Sequence, residues 1–247
     1  MEERLQKILS AVIEEYTNTA VPVGSKILAE KYGFDLSPAT IRSDMVRLEK
    51  EGYLFQPHTS AGRIPTDKGY RFFVEEIMGD QELTVAEQRK LQTEILKLKA
   101  QNQRMSRTTA KLLASLTGSL AIMGGKTDLH EFGISELLDN PEFQEVDEFC
   151  KIAQVLDYID ENVDSILREL RNGETKIFIG QENPIKQISN CSMIVSPYKT
   201  KNGEKGVLAI IGSKRMKYAK NKSLIDYMKK LISSGSACVV IFANINF

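Results

Sequence analysis

The stretch LSPATIRSDMVRLEKEGYL, residues 36–54, decides the fold of the N-terminal region. Ser37 followed by Pro38 predicts a helix start, because a serine hydroxyl accepts a free amide hydrogen bond and proline suits the first helical position. Apolar residues then recur at helical spacing and predict one buried stripe, formed by Ile41, Met45 and Leu48. Gly52 is expected to end this third helix of the chain, and the apolar run at residues 53–55 predicts a strand.

Helical patterns also flank this stretch. A first helix is predicted from the stripe Leu5, Ile8, Leu9, Val12, Ile13 and Tyr16. Ser25 is expected to cap a short second helix that Gly33 ends. A proline- and glycine-containing loop follows the strand, and Thr66 is expected to begin another helix. Three helices, followed by a strand, a loop and a returning helix, predict a winged helix-turn-helix domain over residues 1–78.

In that architecture the third helix enters the major groove of DNA and the loop touches the backbone. Arginine pairs with guanine edges or phosphates, and hydroxyls near a helix start can meet phosphates. In the loop HTSAGR, residues 58–63, we expect Arg63 to be a cationic tip and Gly62 to let the backbone approach the sugar-phosphate chain. The predicted DNA-binding residues are Ser25, Lys26, Ser37, Thr40, Arg42, Ser43, Arg47, His58, Thr59 and Arg63. The alternative is that Arg42 and Arg47 are solvated surface charges and that His58 is a turn residue.

The composition limits the class of protein. The 33 lysines and arginines balance 33 aspartates and glutamates, so DNA binding must come from local placement. Residues 24–73 carry eight cationic and six anionic side chains, which predicts weak non-specific binding. No apolar run approaches the roughly 20 residues of a membrane span, and the N-terminus has no signal core. With three scattered cysteines and two histidines, we expect a cytoplasmic protein without a metal or cofactor.

Residues 80–120 have no proline or glycine between Asp80 and Thr117 and predict one long connecting helix. Apolar residues alternate at steps of four and three, as in a coiled coil, and an inner asparagine favours a two-stranded register. The predicted dimerisation residues are Leu91, Ile95, Leu98, Asn102, Met105, Leu112 and Leu116. The alternative is that the same stripe, which includes Thr109, packs on the C-terminal domain of its own chain.

Residues 128–247 mix helical and strand patterns and predict a small α+β domain. Strands are predicted at 176–179, 192–195 and 206–211, and Asn202-Gly203 predicts a hairpin between the last two. Helices are predicted within 146–170 and 223–232. The apolar segment 237–242 is compatible with a further strand.

Several motifs resemble the HrcA family of bacterial heat-inducible transcription repressors. In the N-terminal region they are VPVGS at 21–25, LSPATIRSDM at 36–45 and HTSAGRIPTDKGYR at 58–71. In the C-terminal region GISELLDNPEF at 133–143, IGQENP at 179–184 and GSKRMKYA at 212–219 resemble the GAF-like domain of the same family. The resemblance covers most of residues 1–233.

The resemblance implies a function and partners. Members of this family repress chaperone operons by binding an inverted-repeat operator in double-stranded DNA as a homodimer, and the chaperonin GroEL helps to keep them active. This chain departs from the family in holding only residues 121–128 between Leu120 and Leu129, where the family carries further strands and an inserted dimerisation domain. We therefore expect a reduced GAF-like domain. Ser43 stands where asparagine is frequent, which implies a shifted operator preference.

No enzyme class is indicated, because the sequence has no Walker loop, dinucleotide fingerprint or nucleophile elbow. The expected fold is α+β, with a winged helix-turn-helix, a long connecting helix and a reduced GAF-like domain. Two alternatives to a DNA-binding repressor stay open. One is a winged-helix regulator that senses a ligand through the GAF-like domain, and the other is a chaperone-interacting protein that does not bind DNA.

Overall fold

The computed structural model describes residues 1–100, 105–125, 128–143, 173–201 and 203–234, together with residues 151, 154, 156, 158, 159, 166 and 170. The chain divides into two compact units. The first unit consists of Met1–Asp80, Ile179–Gln181 and Lys214–Ala219, and the second of Gln81–Phe178, Glu182–Ser213 and Lys220–Phe247. None of the helices in the described ranges is long and apolar enough to cross a bilayer.

The first unit contains three helices, a small hairpin and a fourth helix. In chain order they are α1 (Glu3–Thr19), α2 (Ser25–Lys31), α3 (Pro38–Lys50), β1 (Leu54–Phe55), β2 (Ile64–Pro65) and α4 (Asp67–Phe72), followed by a π-helical turn at Phe73–Ile77. The two strands pair antiparallel. The predicted stripes form the core, since Leu5, Ile8, Leu9, Val12, Ile41, Met45 and Leu48 are all buried.

Helix ends follow the local sequence signals, with one exception. The Ser37 hydroxyl accepts the Thr40 N–H at 3.1 Å at the start of α3, as predicted. Thr66 does the same for α4, whose Gly69 N–H lies 3.1 Å from the Thr66 hydroxyl. The prediction for α2 is wrong, because Gly24 occupies the cap position, no side chain caps this helix and Ser25 is its first residue.

The second unit is built around a five-stranded sheet in the order β4-β3-β7-β6-β5. The strands are β3 (Leu120–Gly125), β4 (Asp128–Phe132), β5 (Lys176–Ile179), β6 (Cys191–Lys199) and β7 (Lys205–Ser213). Its helices are α5 (Val85–Ala100), α6 (Met105–Thr117), α7 (Ile134–Leu138) and α8 (Tyr218–Ser234), with short 3₁₀ turns at Pro141–Phe143, Gly180–Glu182 and Lys186–Ile188. β6 and β7 form the predicted hairpin, in which Lys199 pairs with Lys205.

β3 and β4 were not predicted from the sequence. They form an antiparallel hairpin, with Gly125 opposite Asp128. β3 also pairs with β7, so it lies inside the sheet. Leu120, Ala121, Ile122 and Met123 are accordingly buried, and the sheet is continuous through this segment.

Part of the predicted dimerisation stripe lies in the core of its own chain. Leu91, Ile95 and Thr109 are 0%, 1% and 0% exposed in the single chain, whereas Leu112 and Leu116 are half-buried. Asn102 and the side chains of Leu98 and Met105 lie outside the described residues. Because a side chain already buried cannot pair with a second copy, the structure corrects the assignment of Leu91 and Ile95 to a dimer seam.

Other predictions fall mainly outside the described residues. They are most of the helical segment 146–170, Asn202 of the predicted hairpin and the apolar segment 237–242. Within the first of these, Ile159, Ile166 and Leu170 are buried in the core on one face of the sheet.

Candidate nucleic-acid interface

α3 presents a polar face to solvent opposite its buried stripe. Arg42, Ser43 and Arg47 are exposed, Ser37 is exposed and Thr40 is half-buried. The side chains opposite them, Ile41, Met45 and Leu48, are at most 1% exposed. This division follows from helical spacing, and it leaves the predicted contact residues of α3 accessible to a large ligand.

The start of α3 carries two hydroxyl groups that bond to each other. The Ser37 Oγ and Thr40 Oγ1 atoms are 2.9 Å apart, and the Ser37 oxygen also accepts the Thr40 N–H. The two hydroxyls therefore have fixed positions at the N-terminal end of a 13-residue helix, where backbone N–H groups favour an anion.

The two arginines of α3 differ in their surroundings. Arg47 lies 2.8 Å from Glu2 and 3.2 Å from Glu51 through its guanidinium nitrogens. The hydrogen bond and charge of Arg47 lower the pKa of the Glu2 carboxyl, and Glu2 raises the pKa of Arg47 in return. Arg42 is exposed, and no carboxylate of the described residues pairs with it. Of these two arginines, Arg42 is the one that a DNA ligand could engage without displacing an acid.

A buried acid fixes α3 to α1. Asp44 is 6% exposed, and its carboxylate lies 3.0 and 3.1 Å from the guanidinium of Arg4. The pair explains why an acidic residue can lie among the cations of α3, since Asp44 faces the protein and not a phosphate. Sequence spacing gives no signal for this pair, because its members are 40 residues apart.

The loop between β1 and β2 is closed by its own hydrogen bonds. The Gln56 side-chain amide donates to the carbonyl oxygens of Thr59 at 3.1 Å and Ala61 at 2.9 Å, and the Ala61 N–H donates to the His58 carbonyl at 2.8 Å. His58, Thr59 and Ser60 are exposed at its tip. A loop held in this way presents its tip in one conformation and loses little entropy on binding.

Arg63 is not the cationic tip that the sequence suggested. It is 6% exposed, and its guanidinium lies 2.9 Å from the Glu49 carboxylate. The backbones of Arg63 and Val23 exchange two hydrogen bonds, and each N–H nitrogen lies 2.9 Å from the carbonyl oxygen of the other residue. Arg63 therefore anchors the loop to α3 and to the α1–α2 turn. The prediction of a DNA contact is corrected to a positioning role.

Gly62 is required by the packing of the protein itself. A Cβ at this position would lie 2.4 Å from the carbonyl carbon and oxygen of Val23 and 2.6 Å from the carbonyl carbon of Pro22. Real Cβ atoms do not approach backbone so closely, so glycine allows the loop to meet the α1–α2 turn. The structure thus shows a close backbone approach at Gly62 within the protein, and the approach to a sugar-phosphate chain stays a prediction.

The predicted residues of α2 contribute little to this surface. Ser25 is half-buried at the first turn, and the exposed Lys26 lies 4.0 Å from Glu30. Within the described residues, no three histidine, cysteine, aspartate or glutamate side chains gather into a metal-binding group. The arrangement combines an exposed helix face with a loop that is closed by its own hydrogen bonds.

Comparison with known families gives a consistent result. The family model described as "HrcA protein C terminal domain" matches residues 72–221, more than half of the chain. The heat-inducible transcription repressor HrcA of Acetivibrio thermocellus is 28% identical over 335 aligned positions, which cover 93% of this chain and 94% of that protein. The HrcA of Carboxydothermus hydrogenoformans is 26% identical over 351 aligned positions, which cover 100% of this chain and 100% of that protein.

Both alignments are longer than the 247 residues of this chain, so these relatives contain segments that it lacks. The HrcA of Thermobifida fusca is 49% identical over 123 residues, which are 50% of this chain and 36% of that protein. This chain thus covers only about a third of the length of that relative. A crystal structure at 2.2 Å resolution described as a hypothetical protein shares the fold, with a TM-score of 0.73, 20% identity and coverage of 95% of this chain and 98% of that one.

Proposed function

The chain belongs to the HrcA family, and we propose that it is a DNA-binding transcription repressor of chaperone operons. The observation that carries this proposal is the exposed polar face of α3, with Arg42 accessible and unpaired by any acid of the described residues. In this proposal the first unit is a winged helix-turn-helix domain. α3 enters the major groove, where Arg42 pairs with a guanine edge or a phosphate, and the loop tip at His58 and Thr59 contacts the backbone.

The proposed operator is an inverted repeat bound by two copies of the chain. Residues 24–73 have two more cationic than anionic side chains, so a single copy gains little from non-specific attraction. Two copies on two half-sites add their contacts and place two α3 helices one helical turn apart. Leu91 and Ile95 are buried in their own chain, so the proposed seam is limited to Leu98, Asn102, Met105, Leu112 and Leu116. Light scattering of the free protein and of the operator complex measures the number of copies.

A second proposed partner is the chaperonin GroEL, which the family resemblance implies and which would link repression to the load of unfolded protein. A pull-down with GroEL, with and without ATP, tests this interaction. A stable GroEL complex in a protein that fails to bind any duplex would favour the alternative of a chaperone-interacting protein. An added small molecule that shifts DNA affinity would favour the ligand-sensing alternative.

DNA footprinting on the promoters of chaperone operons, and on the DNA upstream of the gene itself, tests the central proposal. We expect protection of an inverted repeat and binding that weakens steeply with salt. Arg42→Ala should weaken operator binding about tenfold, the size of one lost base contact, without changing the melting temperature. Lys7→Ala, which removes an exposed cation of α1, is the matched control and should bind like the wild type. Equal affinities for operator and scrambled duplex would refute the proposal.

A further inference from the structure

The carboxylate of Asp67 joins segments of the first unit that are far apart in sequence. Lys214 Nζ donates to Asp67 Oδ1 at 2.6 Å, and the Gln181 N–H donates to Oδ2 at 3.2 Å. The side chains of Asp67 and Lys214 are 28% and 34% exposed, so solvent screens the ion pair only in part. One acid at the first position of α4 thus holds two segments that lie more than a hundred residues later in the chain.

Gly180 shows how tightly this carboxylate is enclosed. A Cβ on Gly180 would lie 1.9 Å from Asp67 Oδ2 and 2.4 Å from its Cγ. Gly180 also has φ +56°, in the left-handed region where other residues are strained. Both the space and the backbone conformation therefore require glycine. We call Asp67, Gly180, Gln181 and Lys214 the Asp67 junction.

The segment that carries Lys214 is attached to the first unit at further points. Arg215 Nη1 donates to the Thr17 carbonyl at 3.3 Å, near the end of α1, and its guanidinium lies 5.9 Å from the ring centre of Tyr16. The rings of Tyr218 and Tyr70 are 5.9 Å apart. These contacts tie the segment to α1 and α4, the helices that flank the α2–α3 pair in the chain.

The two segments that hold Asp67, one with Gln181 and one with Lys214, each directly follow a strand of the sheet. β5 ends at Ile179, directly before Gly180, and β7 ends at Ser213, directly before Lys214. The groups that hold Asp67 are therefore direct continuations of two strands. If those strands lose their pairing, Gln181 and Lys214 lose the backbone conformation that places them on the carboxylate.

We propose that Asp67 is a positioning residue that makes the order of the proposed DNA-binding helices depend on the folding state of the five-stranded sheet. This inference rests on the proposed function, because it describes how a change in the sheet alters operator binding. In this scheme a rise in temperature opens the sheet, the Asp67 junction is lost, α4 is released and the helices packed on it lose order. The junction transmits the state of the sheet and takes no part in DNA contact.

Two measurements on the full chain test the proposal over a range of temperatures. Alkylation of Cys191, which is 1% exposed in β6, reports opening of the sheet and can be assigned by peptide mass among the three cysteines. Hydrogen exchange of the peptide that spans α3 reports order in the first unit. In the wild type, both signals should change at the same temperature. In Asp67→Asn the junction is already broken, so α3 should lose protection at temperatures where Cys191 is still unreactive.

Matched variants separate charge from shape. Lys214→Met should uncouple the two signals like Asp67→Asn, whereas Lys214→Arg keeps the cation and should restore coincident transitions. Asp35→Asn removes an exposed carboxylate of the same unit and should behave as the wild type. If Asp67→Asn fails to fold, the Lys214 pair of variants carries the test.

Coincident transitions in both Asp67→Asn and Lys214→Met would overturn the proposal. Neither readout needs DNA, so a failure of the junction is distinct from a failure of the proposed function. Operator affinity at 25 °C, measured on the same samples, tests that function separately. If the wild type binds the operator, we expect binding to be lost at the temperature of Cys191 exposure, and to be lost below that temperature in Asp67→Asn.

Discussion

The guanidinium of Arg63 forms an ion pair with the carboxylate of Glu49, in which Nη2 and Nε lie 2.9 Å and 3.0 Å from the same oxygen. The cation of the loop between β1 and β2 is thereby directed into the protein, onto the last turns of α3. Arg63 and Glu49 are 14 residues apart and hold the loop and the helix as one body. A cation in a loop that we propose to contact DNA can thus serve to fix the loop, while other groups stay exposed.

The first prediction concerns Arg63→Ala. The change removes the partner of Glu49, whose side chain is 32% exposed, and frees the loop from α3. We expect the free energy of unfolding of the first unit to fall by about 1–3 kcal/mol, because a charge-assisted hydrogen bond is lost and an acid is left partly desolvated. Urea unfolding followed by hydrogen exchange of residues 54–65 measures this. Glu49→Gln should shift stability in the same direction, and unchanged stability with weakened operator binding would show that Arg63 contacts DNA directly.

The second prediction compares two nearby glycines. Gly62→Ala places a methyl group 2.4 Å from the backbone of Val23, so the loop must move away from the α1–α2 turn. We expect the free energy of unfolding to fall by about 3 kcal/mol or more, and operator binding to weaken. Gly24→Ala is the control, since its Cβ would meet nothing within 4 Å. Equal melting temperatures for the two variants would contradict the close contact.

The third prediction concerns Glu2, one of the two acids that pair with the guanidinium of Arg47. Glu2→Gln removes one of the two carboxylates on this guanidinium, so a phosphate competes with one acid instead of two. We expect operator affinity to rise roughly two- to threefold at low salt and the gain to vanish in high salt, as for exposed charges in general. Glu3→Gln, whose acid pairs with Lys7, is the control and should leave affinity unchanged. A gain that persists in high salt would argue against an electrostatic cause.

The fourth prediction is a pH dependence in the second unit. Glu87 accepts hydrogen bonds from Lys220 and from the backbone and hydroxyl of Thr84, and these lower its pKa to about 2. Because the folded pKa lies below the ordinary value of 4.5, the stabilisation is complete above that value and is lost as the pH falls towards 2. Glu87→Gln should lower the melting temperature by about 2 °C at pH 7 and have no effect near pH 2. Glu82→Gln, an exposed acid, should show no such difference at either pH. Melting curves of the two variants and the wild type between pH 2 and 7 measure these differences. If the difference in melting temperature between Glu87→Gln and the wild type were the same at every pH, ionisation of Glu87 would be excluded as its cause.

The exposed face of α3 and the closed loop illustrate how far local sequence signals reach. Ser37-Pro38, the apolar stripe of α3 and Thr66 act over three or four residues, and the structure reproduces each of them. The exposure of Arg42 follows from the same spacing. The starts of α3 and α4 and the stripe of α3 were therefore predictable without knowledge of the rest of the chain.

The strand β3 shows where such signals stop. Its apolar residues directly follow a helical pattern, and a short apolar run has no period that separates strand from helix. Pairing with β7, nearly ninety residues further along the chain, makes it an inner strand. The stripe of α5 and α6 was ambiguous for a related reason, since a second copy or the chain's own core would satisfy the same pattern.

By itself the sequence determined the family, the starts of α3 and α4, the buried stripes of the first unit and the β6–β7 hairpin. Only the tertiary structure decided that Arg63 faces Glu49, that Gly62 adjoins Val23 and that Asp67 holds Lys214. The physical reason is the range of the interactions. A helix cap or an amphipathic stripe is set by neighbours in the chain, whereas the partner of a charged group depends on which distant segments the fold brings within a few ångströms of it.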